Sequence, residues 1–148
     1  MGLKQMSIFL ENAPGRLYEV TQSFGEAGVN LKALCLMDAA GFGVLRLLVS
    51  DLPKARKIAM ERHWPARVDD VVAVRIPDEP GSLARFLKPL LDRKINVEYM
   101  YAFAGLSSAE AVMIFRFRQH EEAQSVLRES GAVLLGAKEF GVLEGEEG

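Results

Sequence analysis

Asn12-Ala13-Pro14-Gly15-Arg16-Leu17 and Asp78-Glu79-Pro80-Gly81-Ser82-Leu83 are the stretches of this chain best suited to hold a small ligand. Each combines three properties. An Asn or Asp side chain can accept hydrogen bonds from free N–H groups at a helix start. A proline fixes the backbone where no donor is needed. A glycine removes the side chain, so that a ligand can come close to the main chain. A helix amino terminus with bare N–H groups is a natural seat for a carboxylate. Eighteen residues beyond Asn12 and Asp78 stand Asn30 and Asn96, whose amides both donate and accept and so suit the two polar ends of an amino acid. Either motif alone is an ordinary turn or strand start. Their joint recurrence is what points to a site.

Other chemistry has little to draw on. His63 and His120 are the only histidines. His63 precedes Trp64-Pro65 and reads as a cap or packing residue at a helix end, and His120, before Glu121-Glu122, reads as a solvated loop residue. Neither belongs to a Ser-His-Asp set or a His-rich metal site. The single cysteine, Cys35, excludes an intrachain disulfide and a cysteine-built metal site, and its apolar surroundings, Leu34–Met37, predict a buried, inert thiol. Ser107-Ser108, after Gly105, reads as a flexible lid or hairpin, not a nucleophile elbow. There is no phosphate-cradling Gly-x-x-x-x-Gly-Lys run. No catalytic residue, metal or cofactor is expected.

The elements that position these turns come from a repeat. Asn12 and Asp78 lie 66 residues apart, and Val29-Asn30 aligns with Ile95-Asn96 at the same offset. Further on, Ala55 meets Ala123 at an offset of 68, as a small insertion produces. Each copy reads as strand, helix, strand, strand, helix, strand. Gln5–Leu10 and Val71–Ile76 are first strands, rich in β-formers. Leu17, Val20, Phe24 and Ala27 recur at helical spacing, as do Leu83, Phe86, Leu87 and Leu90. Gly25 and Gly28 are placed to close the first helix, and Pro89 is expected to kink or shorten its counterpart. Second strands follow at Leu31–Met37 and Val97–Phe103, third strands at Val44–Val49 and Ala111–Arg118. The second helices are Pro53–Arg62 and Glu121–Glu129, with fourth strands at Ala66–Asp70 and Ala132–Leu135. The domains are therefore 1–70 and 71–148, with almost no linker between them and with 143–148 as a disordered tail. This order gives an α+β fold: two tandem ferredoxin-like βαββαβ units, each an antiparallel sheet with its helices on one face.

Strict alternation places Leu31, Ala33, Cys35 and Met37 on one face of the second strand and Leu34 and Leu36 on the other. In the second copy, Val97, Tyr99, Tyr101 and Phe103 oppose Met100 and Ala102. Both faces are apolar, as where neither is left to water. The open sheet face is expected to pack on another chain, in a homodimer.

Composition sets the remaining bounds. Of 148 residues nearly half are hydrophobic, as in a globular protein. Eighteen basic and 20 acidic residues give a net charge of -2, which argues against nucleic acid as a partner. The densest basic group, Lys54, Arg56 and Lys57, reads as a solvated helix face. Neither a signal peptide nor an apolar run of the ~20 residues that span a bilayer is found, so no membrane partner and a cytoplasmic location are expected.

Pro14-Gly15-x-Leu17 with Gly28-Val29-Asn30, and Pro80-Gly81-x-Leu83 with Ile95-Asn96, resemble the signature of ACT domains, over almost the whole chain. The resemblance implies a regulatory module that binds a free amino acid, with two ACT-like units side by side in an extended antiparallel sheet and helices on one face. It implies ligands between the strand-to-helix turn of one unit and the second-strand start of its neighbour. Asn12, Ala13, Pro14, Gly15, Arg16 and Leu17 then face Asn96, and Asp78, Glu79, Pro80, Gly81, Ser82 and Leu83 face Asn30. Asp78 favours an ammonium group and Arg16 a ligand carboxylate. Lys94 stands where the first copy has Gly28, which is expected to alter the loop before Asn96. With no catalytic domain in the sequence, a regulated enzyme is a separate chain. Two alternatives stay open: a ligand-free structural module, and a small ferredoxin-like enzyme such as an acylphosphatase-type hydrolase.

Overall fold

A computed structural model describes residues 2–104 and 109–145; Ser107 and Ser108 of the expected lid lie outside the described residues. The chain divides into two compact units, one of Lys4–Asp69 with the segment from Ala137 onward, the other of Met1–Leu3 with Asp70–Gly136. The first repeat supplies β1 (Leu3–Glu11), α1 (Arg16–Glu26), β2 (Leu31–Ala39), β3 (Phe42–Val49) and α2 (Leu52–Glu61). β4 (Ala66–Pro77) is one strand where two were expected, and the boundary between the units falls inside it, at Asp69–Asp70. The second repeat continues with α3 (Ser82–Asp92), β5 (Val97–Ala104), β6 (Glu110–Phe117), α4 (His120–Glu129) and β7 (Val133–Leu135), then a short α5 (Ala137–Phe140).

Each unit is a ferredoxin-type βαββαβ module. In the first the strand order is β2-β3-β1-β4, and in the second β5-β6-β4-β7. Alternate residues of the strands face the helices. Met6, Ile8, Leu10, Leu45 and Leu47 meet Val20 and Phe24 of α1 and Ala55 and Ala59 of α2 in one buried core. Val72, Val74, Ile76, Phe115 and Phe117 meet Leu90, Ala123 and Leu127 in the other. Phe86, Phe115 and Phe117 form a stack with centroids 5.1 and 5.4 Å apart.

Strict alternation fails at one place in each unit. Leu31 pairs with Val49 and Ala33 with Leu48, so Lys32 is an extra residue; Glu98 plays the same part between Val97–Phe117 and Tyr99–Arg116. Such a bulge turns the preceding residue to the opposite face. Leu31 and Val97 accordingly pack on the helix-side cores, not beside Ala33 or Tyr99. Cys35, expected buried, is half-buried. Among the described residues, no helix is long and apolar enough to cross a membrane.

All four long helices end in the same way. The residue after each cap donates to the carbonyl three positions back, and the next residue donates five back, a Schellman closure. The pairs are Gly28 to Gly25 with Val29 to Phe24, His63 to Met60 with Trp64 to Ala59, Lys94 to Leu91 with Ile95 to Leu90, and Gly131 to Arg128 with Ala132 to Leu127. The closing residue is left-handed in every case: φ is 77° at Gly28, 58° at His63, 55° at Lys94 and 80° at Gly131. Lys94 therefore does not alter the loop before Asn96, because it adopts the conformation that Gly28 has. His63 is the cap residue its position predicts. His120, expected in a loop, is the half-buried first residue of α4. Pro89 does not shorten α3, which has the same 11 residues as α1.

Leu143, expected to begin a disordered tail, is held in the first unit. Its N–H donates to the Ser50 carbonyl and its carbonyl accepts from Leu52, both at 2.8 Å. Next to it, Glu144 accepts from the Lys4 N–H at 2.7 Å. The cause is that β3 and α2 leave backbone groups of Ser50 and Leu52 without a partner inside their own elements, and the returning segment satisfies them.

Candidate functional site at the two helix entrances

Both Pro-Gly turns have one geometry. Gly15 and Gly81 are the N-cap residues, at φ 88° and 86°, and neither helix has a side-chain cap. That corrects the expected role of Asn12 and Asp78. The left-handed glycine starts the helix three residues beyond them, out of capping reach. A Cβ on Gly15 meets no atom within 4 Å, so glycine is required there for its positive φ rather than for space. The Arg16 N–H donates to Ala13 and the Glu19 N–H to Gly15; in the second unit Ser82 donates to Glu79 and Arg85 to Gly81. Between them the N–H groups of Leu17 and Tyr18, and of Leu83 and Ala84, have no partner among the described residues. Two bare donors at the positive end of an 11-residue helix form an anion seat.

The surrounding side chains make the two entrances unlike. Asn12 donates through Nδ2 to Asp38 Oδ1 at 3.2 Å. Arg16 lies between Glu11 and Glu19, 3.4 Å from each carboxylate. Its charge is thus already matched, contrary to the expectation that it waits for a ligand carboxylate. Asp78 is exposed, and its carboxylate has no partner among the described residues. Arg85 reaches Glu79 at 2.7 Å and Ser82 Oγ at 3.2 Å. Sequence reasoning missed Arg85. Its signal was the spacing: it lies one helical turn after Ser82, where the first repeat has Glu19. Ala13, Pro14, Glu79 and Pro80 form the turns themselves, and Leu17, on the apolar stripe, is 37% exposed beside its free amide.

The asparagines stand elsewhere in each unit. Asn30 and Asn96 begin β2 and β5, beyond the carboxyl ends of α1 and α3. An 11-residue helix, roughly 16 Å long, therefore separates each from the entrance of its own unit. Asn30 Oδ1 accepts from the Leu31 N–H at 2.9 Å, and the Asn30 N–H donates to Ser50 Oγ at 2.8 Å. The Asn96 N–H donates to Gln119 Oε1 at 3.1 Å, and the Asn96 side chain has no partner among the described residues. No group of three His, Cys, Asp or Glu side chains suited to a metal ion occurs among the described residues.

Comparison with known proteins agrees with this architecture. The family model described as an ACT domain pair matches residues 1–140. A protein from Bacteroides thetaiotaomicron is 40% identical, with 97% of this chain and 98% of that one covered and a TM-score of 0.89. The ligand-free regulatory subunit of aspartate kinase from Thermus thermophilus is 17% identical, covering 86% of this chain and 90% of its own, with a TM-score of 0.62. Its counterpart from Thermus flavus is also 17% identical, with 84% and 88% covered and a TM-score of 0.58. At that identity the two subunits share the fold. No curated protein matches the sequence.

Proposed function

The chain belongs to the ACT domain pair family, and on that premise we propose that it is a regulatory protein that binds a free amino acid at its Pro-Gly helix entrances. The carrying observation is the pair of unpartnered amides at each helix start, Leu17 with Tyr18 and Leu83 with Ala84. They seat the ligand carboxylate. At the second entrance the unpaired Asp78 takes the ammonium group, so this entrance is the stronger zwitterion site. At the first, Glu11 and Glu19 offset Arg16 and weaken an anion's hold.

Occupancy is read by a separate enzyme chain, through a coupling of about 1–3 kcal/mol. The protein acts as a homodimer in the cytoplasm. Support for the dimer comes from β2, which lies at the edge of its sheet with Leu34, Leu36 and Met37 each about half exposed.

The test is a thermal-shift screen of the purified protein against the twenty amino acids. At 100-fold excess over Kd, the true ligand adds about 2.7 kcal/mol of stability. Asp78→Asn removes most of that shift. A flat response to all twenty refutes the reading and leaves a structural module.

A further inference from the structure

The duplication supplies an internal comparison. In each unit a pocket opens between the end of the first strand, the first helix and the turn after the second helix. In the first unit it is lined by Phe9, Arg16, Glu19, Arg62 and Trp64, among others, and holds about 250 Å3. In the second the corresponding pocket holds about 430 Å3. The difference has an identifiable source. Trp64, packed edge-on to Phe24 with centroids 5.8 Å apart, partly fills the first pocket. Ala132 stands in its place, each being the residue that completes the Schellman closure of the second helix. Leu90 stands where Phe24 does, and Arg75 where Phe9 does. The second repeat has therefore lost aromatic bulk at this position, and its two lining arginines are Arg75 and Arg85 in place of Arg16 and Arg62. Its volume falls within the usual range of small-molecule sites, and that of the first does not.

The enlarged pocket has the parts of a binding site. One wall is apolar: Ile76 is buried beneath it, and Phe86 is held by its stack on Phe115. The polar lining comes from Arg75, Ser82, Arg85 and Glu110. Arg75 meets Glu110 through Nε at 3.1 Å, while Arg85 uses Nη2 for Glu79 and for Ser82, a residue only 5% exposed. Each guanidinium is thus engaged in one ion pair at the pocket's rim. The Nη groups of Arg75 and Nη1 of Arg85 have no partner among the described residues. Two guanidiniums and one carboxylate, Glu110, line the pocket, and Glu79 pairs with Arg85 beside it, so the charges balance while the free Nη groups stay available as donors.

We propose that this pocket binds a monoanionic carboxylate with an apolar body, such as an aryl- or alkyl-alkanoate, its carboxylate on Arg75 and Arg85 and its body against Phe86 and Ile76. A single carboxylate meets those free Nη donors, whereas a phosphate dianion brings a second charge that nothing there offsets. The site shares Ser82 and Arg85 with the rim of the second entrance but does not use the amides of Leu83 and Ala84, and it does not depend on the amino-acid reading.

Calorimetric titration with 4-phenylbutanoate tests it, with 4-phenylbutanamide as the uncharged match. The carboxylate binds one per chain, and the amide binds at least tenfold more weakly. Arg75→Gln and Arg85→Gln each weaken the carboxylate about tenfold or more. Ala132→Trp restores the residue of the first repeat, fills the pocket and abolishes binding. Unfolding curves establish that this variant is folded, and Ala132→Leu gives a graded loss if it is not. Any amino-acid response of the entrances survives Ala132→Trp, which separates the two sites. The proposal is overturned by no saturable binding at millimolar 4-phenylbutanoate, by equal affinity for the amide, or by unchanged binding in a folded Ala132→Trp or Ala132→Leu protein.

Discussion

Replacing Lys94 by glycine should stabilise the protein, although it removes a side chain and is not a core change. Lys94 closes α3 at φ 55°, where a residue with a Cβ bears roughly 1–2 kcal/mol of strain. Glycine carries none of it, but its unfolded chain is freer by about 0.4–1 kcal/mol. The net gain is about 0.5–1 kcal/mol. The backbone bonds of Lys94 to Leu91 and Ile95 to Leu90 are kept, since neither uses the side chain. Lys94→Ala is the control: it loses the ammonium group and keeps the Cβ, so its stability should stay near that of the parent. Gly28→Ala is the converse. Its φ is 77° and a new Cβ meets nothing within 4 Å, so its loss of about 1 kcal/mol is conformational and not steric. Equilibrium urea unfolding measures all three, with the slope of the transition checked for constancy. If Lys94→Gly gains nothing, or Lys94→Ala gains as much, the left-handed strain is not the cause.

Two further perturbations probe the packing. Ending the chain after Gly141 removes the bonds of Leu143 to Ser50 and Leu52 and of Glu144 to Lys4, and should cost about 1–3 kcal/mol in urea unfolding; unchanged stability would show that the segment rests there without holding anything. Phe115→Ala opens the middle of the three-ring stack, fully buried in the second core, and should cost about 3–5 kcal/mol; a loss below 1 kcal/mol would mean that neighbouring rings collapse into the space.

Much of this structure is legible in the sequence because the repeat doubles every signal. Pro14-Gly15 and Pro80-Gly81 locate both helix starts, and the core positions Val20, Phe24 and Leu90 follow from helical spacing. The features that escape do so for physical reasons. The bulges at Lys32 and Glu98 are hidden because β2 and β5 are apolar on both faces, so a slip of one residue leaves no contradiction in the pattern. Asn12 and Asp78 look like caps because Asx residues usually are, and nothing in composition reveals that a glycine three residues later starts the helix instead. Lys94 looks like a departure from the glycine pattern, yet the Schellman bonds hold it left-handed. The attachment of Leu143 to Ser50 spans more than ninety residues, and no local pattern encodes it.

That last attachment has a consequence for how the molecule is made. A ribosome releases the first repeat long before residues 137–145 exist, so the emerging first unit must wait, with Ser50 and Leu52 still bonded to water, until the second repeat has also been translated. The order of synthesis and the order of completion are therefore reversed for these two modules. A gene divided between Asp69 and Asp70 would yield one fragment missing its final tie and another carrying a tie with nothing to fasten.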